Sequence, residues 1–323
     1  MTENLKKLIH ILSDGEFHSG AELGHTLGLT RSAIWKLIRQ FSDWDIDVEA
    51  RTNKGYKIAP LELLDAQQLK AHIDTDSILE IFDAIPSTND YLMQIAASKT
   101  HRIHVCFAEK QISGKGRLGR PWISPYARNI YLSILWHFDK DLSQLSGLSL
   151  AIALTIIDAL KAYGIEKNIG LKWPNDVLYQ QKKLAGVLIE ASGETHSHSS
   201  TVVIGVGLNV DMPLSMTQYI DCPYIDIATL TAERPSRNKL ASLLLQHIFS
   251  NLTLFQTEGF SPFLSRWSAV DITANQPVTL LTPAGNISGI GHGIDAQGHF
   301  TLTTQEGEIR HFASGEISLR LGE

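Results

Sequence analysis

The stretch QISGKGRLGRPW, residues 111–122, is the densest pattern in this sequence of 323 residues. Three glycines within six residues allow positive φ angles and let the backbone present its N–H groups to a ligand. Lys115, Arg117 and Arg120 place three cations in the same loop. Glycine-rich backbone with cations is suited to holding phosphates and to spreading the negative charge of phosphoryl chemistry.

This loop does not belong to either of two common nucleotide-binding folds. No G-x-x-x-x-G-K-[ST] motif occurs in the chain, which excludes a P-loop. The glycine spacing is also wrong for a Rossmann fingerprint, and basic residues stand where small ones are needed. The remaining alternative is a flexible cationic surface loop, which a lone G-x-G would favour.

A second motif, KWPND at residues 172–176, is followed by the run KKLAGVLIE at residues 182–190. Asp176 could hold Mg²⁺, which proteins bind through one or two carboxylates together with substrate phosphates. Asn175 carries a donor and an acceptor, which suits contact with a nucleobase or with the waters of the metal. Lys183 precedes an apolar strand, where packing gives a lysine no advantage; the alternative is an ordinary strand-edge lysine whose amine reaches solvent.

Two shorter motifs add small and polar residues. GVGLN at residues 205–209 reads as a strand end with two glycines and an amide. Ser87, Thr88 and Asn89 follow Pro86 directly, and alone they would indicate only a helix N-cap.

Residues 1–60 predict a winged helix-turn-helix domain. Ser19 and Glu22 form a capping-box pattern, Gly28 ends the second helix, and Thr30 caps a third from Arg31 to about Phe41. Two short strands about a cationic turn, within residues 48–58, read as a wing. The predicted DNA-binding residues are Arg31, Ser32, Trp35, Lys36, Arg39, Arg51 and Lys54. The alternative is a structural three-helix bundle, because residues 31–57 hold six Lys or Arg against four Asp or Glu and are only mildly basic.

The rest of the chain divides into a linker at 61–77, a large domain at 78–271 and a small domain at 272–323. The large domain mixes strand-like and helical runs and is expected to be α/β with one large core. Short strand-like runs separated by turn residues predict a closed SH3-like β-barrel at the end. The run at 194–200 contains two histidines but has no flanking ligands, so we expect a solvated loop and no metal site.

Composition limits the classes of protein to which this chain can belong. The net charge is −6, so any DNA binding must come from a local patch. Cys106 and Cys222 are far apart, which argues against a disulfide scaffold or a cysteine zinc site and fits a reducing cytosol. No signal peptide and no transmembrane run is predicted, so we expect a cytoplasmic protein without a membrane partner.

Taken together and in this order, the four motifs resemble the bifunctional biotin operon repressor and biotin–[acetyl-CoA-carboxylase] ligase family along essentially the whole chain. The ending GEISLR, residues 315–320, is also similar to that family. The fold implied is α+β and multidomain: a winged helix-turn-helix, a biotin–protein ligase domain and a small barrel. One departure is visible: Lys115 stands where many members have arginine, which keeps the charge but not the bidentate geometry for phosphate.

The resemblance implies that biotin and ATP give biotinyl-5′-adenylate and pyrophosphate, and that biotin then passes to a lysine of an acceptor protein. Lys183 and Arg117 would be the catalytic residues, with Lys183 an electrostatic stabiliser at the carboxylate and not a nucleophile. The residues implied for biotin are Ser87, Thr88, Asn89, Gln111, Lys115, Gly116, Arg117, Lys183, Gly205 and Gly207. Those implied for ATP and its Mg²⁺ are Lys115, Arg117, Arg120, Asn175, Asp176 and Asn209, with Asp176 as the metal ligand.

The implied partners are the biotin carboxyl carrier protein of acetyl-CoA carboxylase, operator DNA and, with adenylate bound, a second copy of the chain. Two alternatives remain: a ligase whose N-terminal domain does not bind DNA, and a metabolite-sensing transcription factor without catalysis. The cationic loop and Lys183 disfavour the latter, because a sensor needs no charge neutralisation in a transition state. A lipoate ligase of the same broader fold is disfavoured by the winged helix and the form of the loop.

Overall fold

The computed structural model describes residues 1–73, 76–98, 100, 102–192, 199–314 and 317–321. Most of the histidine-containing run at 194–200 lies outside these residues, as do Gly315 and Glu316 of the C-terminal motif.

The N-terminal domain has the predicted winged helix-turn-helix order. Its elements are α1 (Glu3–Leu12), α2 (Gly20–Leu27), α3 (Arg31–Arg39), β1 (Val48–Arg51) and β2 (Gly55–Ile58). Ser19 and Thr30 cap α2 and α3 by accepting from the N–H groups of Glu22 and Ala33, and Gly28 takes the left-handed conformation at φ 67°. The third helix is shorter than predicted, because a 3-10 turn over Gln40–Trp44 follows it and carries Phe41 into the core.

The interval predicted as a linker contains a short helix, α4 (Ala66–Lys70). Asp65 caps it by accepting from the N–H groups of Gln67 and Gln68, and Leu69 is fully buried. Because this helix is capped at its start and Leu69 is packed into the core, residues 65–71 are part of the folded body.

The central domain is built on a sheet of seven strands in the order β3-β4-β5-β9-β8-β7-β6. Its elements are β3 (Ile78–Phe82), α5 (Thr88–Ala97), β4 (His104–Ala108), β5 (Ile130–Phe138), α6 (Leu148–Tyr163), β6 (Ile169–Lys172), β7 (Asp176–Tyr179), β8 (Lys182–Ser192), β9 (Ser200–Leu208), α7 (Ile227–Leu230), α8 (Arg237–Glu258) and α9 (Ser261–Ser268). Among the described strand pairs of this sheet, only β3–β4 is parallel. Successive side chains of a strand point to opposite faces, so Cys106 packs under α5 while Val105 and Phe107 join the large core with α6 and α8.

The segment Leu142–Tyr163, which includes α6, has the length and hydropathy of a membrane span. Within its most apolar window 67% of the residues are buried inside the fold, which is the burial of a core helix.

The C-terminal domain is an antiparallel sheet of five strands in the order β13-β12-β11-β10-β14. The strands are β10 (Pro277–Thr282), β11 (Gly285–Ile294), β12 (Phe300–Thr304), β13 (Ile309–Phe312) and β14 (Ser318–Leu321). The pairing of β11 with β12 shifts register between Gly291 and Ile294. Over the described residues the strand pairings form an open order, so closure into an SH3-like barrel stays a prediction.

Candidate functional site

A cavity of about 610 Å³ brings all four sequence motifs together. Every residue predicted to bind biotin or ATP lines it, and residues of the C-terminal domain close one side. The predicted lining residues are Ser87, Thr88, Asn89, Gln111, Lys115, Gly116, Arg117, Arg120, Asn175, Asp176, Lys183, Gly205, Gly207 and Asn209.

One wall of the cavity is the N-terminus of α5. Ser87 is the N-cap, since its hydroxyl accepts from Asp90 N at 3.3 Å. Thr88 donates from its backbone N–H and its hydroxyl to Gln111 Oε1, at 2.9 and 3.1 Å. The capping interpretation is therefore confirmed, and the capped turn also lines the cavity; its contact with biotin stays a prediction.

Ser133 completes this wall and was not predicted. Its hydroxyl is fully buried, donates to Asn89 Oδ1 at 2.6 Å and lies 2.7 Å from Thr88 Oγ1. Gly205 is needed beside it, because a Cβ there would fall 2.3 Å from Asn89 Oδ1. The available signal was a serine flanked on both sides by apolar residues of β5.

Trp122, the last residue of the loop motif, forms a second wall of the cavity, and the sequence did not predict this role. A Cβ on Gly207 would fall 2.5 Å from the Trp122 ring, so the glycine allows the indole to lie close against β9. Lys183 Nζ lies 5.3 Å from the centre of the same ring. The glycine of the GVGLN motif thus makes room for an aromatic surface beside the predicted catalytic lysine.

A charged group in the cavity lining consists of Lys172 at the end of β6, Asp176 at the start of β7 and Lys183 of β8. Asp176 Oδ1 lies 2.6 Å from Lys183 Nζ, and its Oδ2 lies 3.3 Å from Lys172 Nζ. Burial opposes ionisation of Asp176, but the two lysines outweigh it and hold the pKa of this carboxyl below its usual value. The group therefore presents a carboxylate held between two lysine side chains to the cavity.

The glycine-rich loop closes on itself and on the C-terminal domain. Gly116 N donates to Arg120 O at 2.7 Å, and Trp122 N donates to Gly114 O at 2.8 Å. Arg117 donates to Asn175 Oδ1 at 3.4 Å and to the carbonyls of Ser314 and Ile317. Arg117 is thus anchored by the C-terminal domain across the mouth of the cavity.

The two predicted asparagines also hold backbone in place. Asn175 donates to Val187 O at 2.7 Å. Asn209 donates to the carbonyls of Lys183 and Ile225 at 3.2 and 3.3 Å, which fixes the segment that enters the cavity after residue 218. Their contact with ATP stays a prediction.

Within the described ranges no group of three or more His, Cys, Asp or Glu could hold a metal ion. Asp176 is a single carboxylate bracketed by two lysines. This arrangement suits an ion that arrives with the phosphates of a nucleotide, since phosphate oxygens can complete the coordination of Mg²⁺ and compete for the lysines.

The predicted DNA-binding residues all lie on the surface of the N-terminal domain. Trp35 is 48% exposed, and the Arg39 guanidinium lies 5.0 Å from its ring centre. In the wing, Arg51 and Lys54 lie 5.1 and 5.8 Å from the ring centre of Phe17. Phe17 was not predicted, and it gathers the wing cations on one side of the domain.

Known proteins match the chain along its whole length. Family models match residues 81–209 (Biotin/lipoate A/B protein ligase family), 273–320 (Biotin protein ligase C terminal domain) and 4–57 (HTH domain). Bifunctional ligase/repressor BirA of Escherichia coli is 40% identical over 98% of this chain and 97% of its own length. The protein of the same description from Bacillus spizizenii is 30% identical over 97% of this chain and 98% of its own length.

A solved structure agrees in fold. Biotin protein ligase from Aquifex aeolicus in complex with biotin and ATP matches with a TM-score of 0.65 and 29% identity, over 76% of this chain and 99% of that one. Because a helix-turn-helix domain, a ligase domain and a ligase C-terminal domain follow one another in this chain, and full-length relatives match it from end to end, the chain belongs to the family of bifunctional biotin–protein ligases and repressors.

Proposed function

We propose that this chain joins biotin to ATP, transfers biotin to a lysine of the biotin carboxyl carrier protein of acetyl-CoA carboxylase, and represses transcription when biotin is abundant. The observation that carries the proposal is that two kinds of group line one cavity. One kind is the hydroxyls and amides of Ser87, Thr88, Asn89 and Gln111; the other is the cations of the charged group and the loop.

In the first step a carboxylate oxygen of biotin attacks the α-phosphorus of ATP, and the bond to pyrophosphate breaks. Two anions must meet, so fixed cations lower the barrier. Lys183 supports this role because it lies in the cavity beside the Trp122 ring and can exchange Asp176 for substrate anions. Asp176 then becomes available to the Mg²⁺ that accompanies ATP.

In the second step the acceptor lysine amine attacks the acyl carbon, AMP leaves and the amine loses a proton. Until then the mixed anhydride must be kept from water. The loop supports this function, because Arg117 spans from Asn175 to the C-terminal domain over the cavity.

Repression requires the N-terminal domain to bind operator DNA. A helix-turn-helix monomer reads one half-site, so we propose that biotinyl-5′-adenylate acts as corepressor and favours a homodimer. We expect the protein to act in the cytoplasm, because both of its proposed partners, the carrier protein and the operator DNA, are found there.

Biotin-dependent exchange of pyrophosphate into ATP tests the ligase, with lipoate and octanoate as controls. We expect exchange with biotin alone. Exchange with lipoate would indicate the other branch of the family, and no exchange with any acid would leave a sensor without catalysis.

A further inference from the structure

Glu190 of β8 takes no part in the two reaction steps, yet both of its carboxylate oxygens are used at the cavity wall. Its Oε2 accepts from Asn89 Nδ2 at 2.8 Å, and its Oε1 accepts from Lys115 Nζ at 2.9 Å. One carboxylate therefore connects the buried polar wall of α5 to the glycine-rich loop.

The orientation of the Asn89 side chain depends on Glu190. Ser133 donates to Asn89 Oδ1 from the opposite side, and Gly205 leaves no more space than the amide needs. A flipped amide would place its carbonyl oxygen against the carboxylate and its NH₂ group against Ser133. Because an amide has one donor end and one acceptor end, Glu190 decides which end each neighbour meets.

Lys115 is held by two carboxylates. Its Nζ lies 2.5 Å from Asp90 Oδ1 and also pairs with Glu190. Burial alone would lower the pKa of Lys115, and the hydrogen bonds and charges of Asp90 and Glu190 raise it above its usual value. A lysine neutralised by two anions has little attraction left for a phosphate.

We propose that Glu190 is a positioning residue: it orients Asn89 for the ring of biotin and, through Lys115, latches the glycine-rich loop in its closed position. Lys115 then serves loop closure, in place of the phosphate contact suggested by the sequence. This inference rests on the proposed biotin site and adds the coupling between that site and the loop.

Two substitutions separate the functions of Glu190. Glu190→Gln keeps an oxygen for Asn89 but removes the charge that holds Lys115. We expect adenylate to leave this variant about 2–5-fold faster, while KM for biotin changes less than about 2-fold, because a partly exposed ion pair is worth up to about a factor of five. Glu190→Ala removes the acceptor for Asn89 as well as the charge, so KM for biotin also rises, by about 10-fold, as expected when a hydrogen bond to a charged group is removed.

Lys115→Met keeps the length of the side chain and removes its charge. It should speed adenylate release at least as much as Glu190→Gln, because it also removes the pair with Asp90, and adding Glu190→Gln to Lys115→Met should give no further increase. A merely structural Glu190 would lower Tm without this non-additivity. Asp158→Asn is the matched control, because Asp158 is similarly exposed and pairs with Arg266 away from the cavity.

The measurements are biotin-dependent pyrophosphate exchange for KM, release of preformed labelled biotinyl-5′-adenylate into a chase, and Tm of each variant. Absence of exchange in the unsubstituted protein would refute the proposed function itself. With exchange present, release from Glu190→Gln and Lys115→Met at the unsubstituted rate would overturn the latch. If Glu190→Ala does not fold, Lys115→Met alone decides, because its side chain lies in the loop outside the core.

Discussion

Lys110 of the catalytic domain lies with its Nζ 2.7 Å from Oδ2 of Asp45 in the N-terminal domain. The same amine donates to Asp43 O at 2.9 Å, and both partners follow the helix that carries the predicted DNA-binding residues. Lys110 directly precedes Gln111, which holds Thr88 in the cavity wall. Two adjacent residues after β4 thus contact the DNA-binding domain and the ligand site.

This adjacency predicts a route for coupling. Adenylate should tighten operator binding by about 5–150-fold, and linkage requires operator DNA to tighten adenylate binding by the same factor. Lys110→Met should reduce that factor by about 2–5-fold, the range of a partly exposed ion pair, with pyrophosphate exchange retained. Operator titrations with and without a non-hydrolysable adenylate analogue measure how much adenylate tightens operator binding. Sedimentation of the same samples measures the fraction of dimer. Arg266→Met, which removes a different ion pair, is the control for Lys110→Met. Equal dimerisation with and without the analogue would refute the switch, and an unchanged factor in Lys110→Met would refute this route.

Lys183→Ala should abolish most adenylate formation in a folded protein. Removal of one fixed electrostatic group from a developing charge costs ~10²–10³ in rate. Lys182→Ala is a matched control, because the Lys182 side chain is next to Lys183 in the sequence but is exposed and lies outside the cavity lining. Single-turnover adenylate formation and Tm are the measurements. Near-normal formation by folded Lys183→Ala would remove this lysine from the chemical step.

Arg117→Gly should still form adenylate but release it early, because the substitution removes the guanidinium that links the loop to the carbonyl of Ile317. A further glycine in the loop could act through backbone freedom alone. Leu118→Gly controls for this, since Leu118 is 52% exposed and already has φ 58°. We expect faster chase of labelled adenylate only from Arg117→Gly; equal rates in both variants would contradict the clamp.

Deletion of residues 1–60 should eliminate operator binding. Single neutralisation of Lys36, Arg39, Arg51 or Lys54 should weaken binding to all sequences and reduce the salt slope by about one wherever the cation neutralises a phosphate. Lys7→Met, on the exposed side of α1 and paired with Glu3, should change neither quantity. If none of the four cations alters DNA affinity over a range of salt concentrations, the domain uses another face or is structural.

The two cysteines should differ in reactivity. Cys222 is exposed and lines the cavity, whereas Cys106 is buried and burial raises the pKa of its thiol, so only Cys222 should react with iodoacetamide in the folded protein. Biotinyl-adenylate should slow that reaction by covering the segment around Cys222. Mass spectrometry of the alkylated peptides, with and without the ligand, gives both results. Equal labelling of Cys222 in the two samples would place the ligand away from this segment.

The sequence alone predicted the helix caps and the motifs whose residues line the cavity. Ser19, Thr30 and Ser87 cap the helices that their patterns indicated, because a cap needs only neighbours within three residues. The motifs of loop 111–122 and KWPND identified the family, and their residues do line one cavity.

Tertiary structure alone decided which distant residues meet. Glu190 could be recognised as a partner of Asn89 and Lys115 only once β8 lay beside α5, since 101 and 75 positions of sequence separate them. Ser133 gave no more than a weak local signal, because a buried hydroxyl in an apolar strand is explained only by the group it meets. The short helix within the predicted linker could not be found from the sequence for the same reason: Asp65 and Leu69 show their role only against the helices and sheet that surround them. Sequence specifies local conformation through nearby atoms, whereas side-chain partners across the fold depend on the register and packing of whole elements.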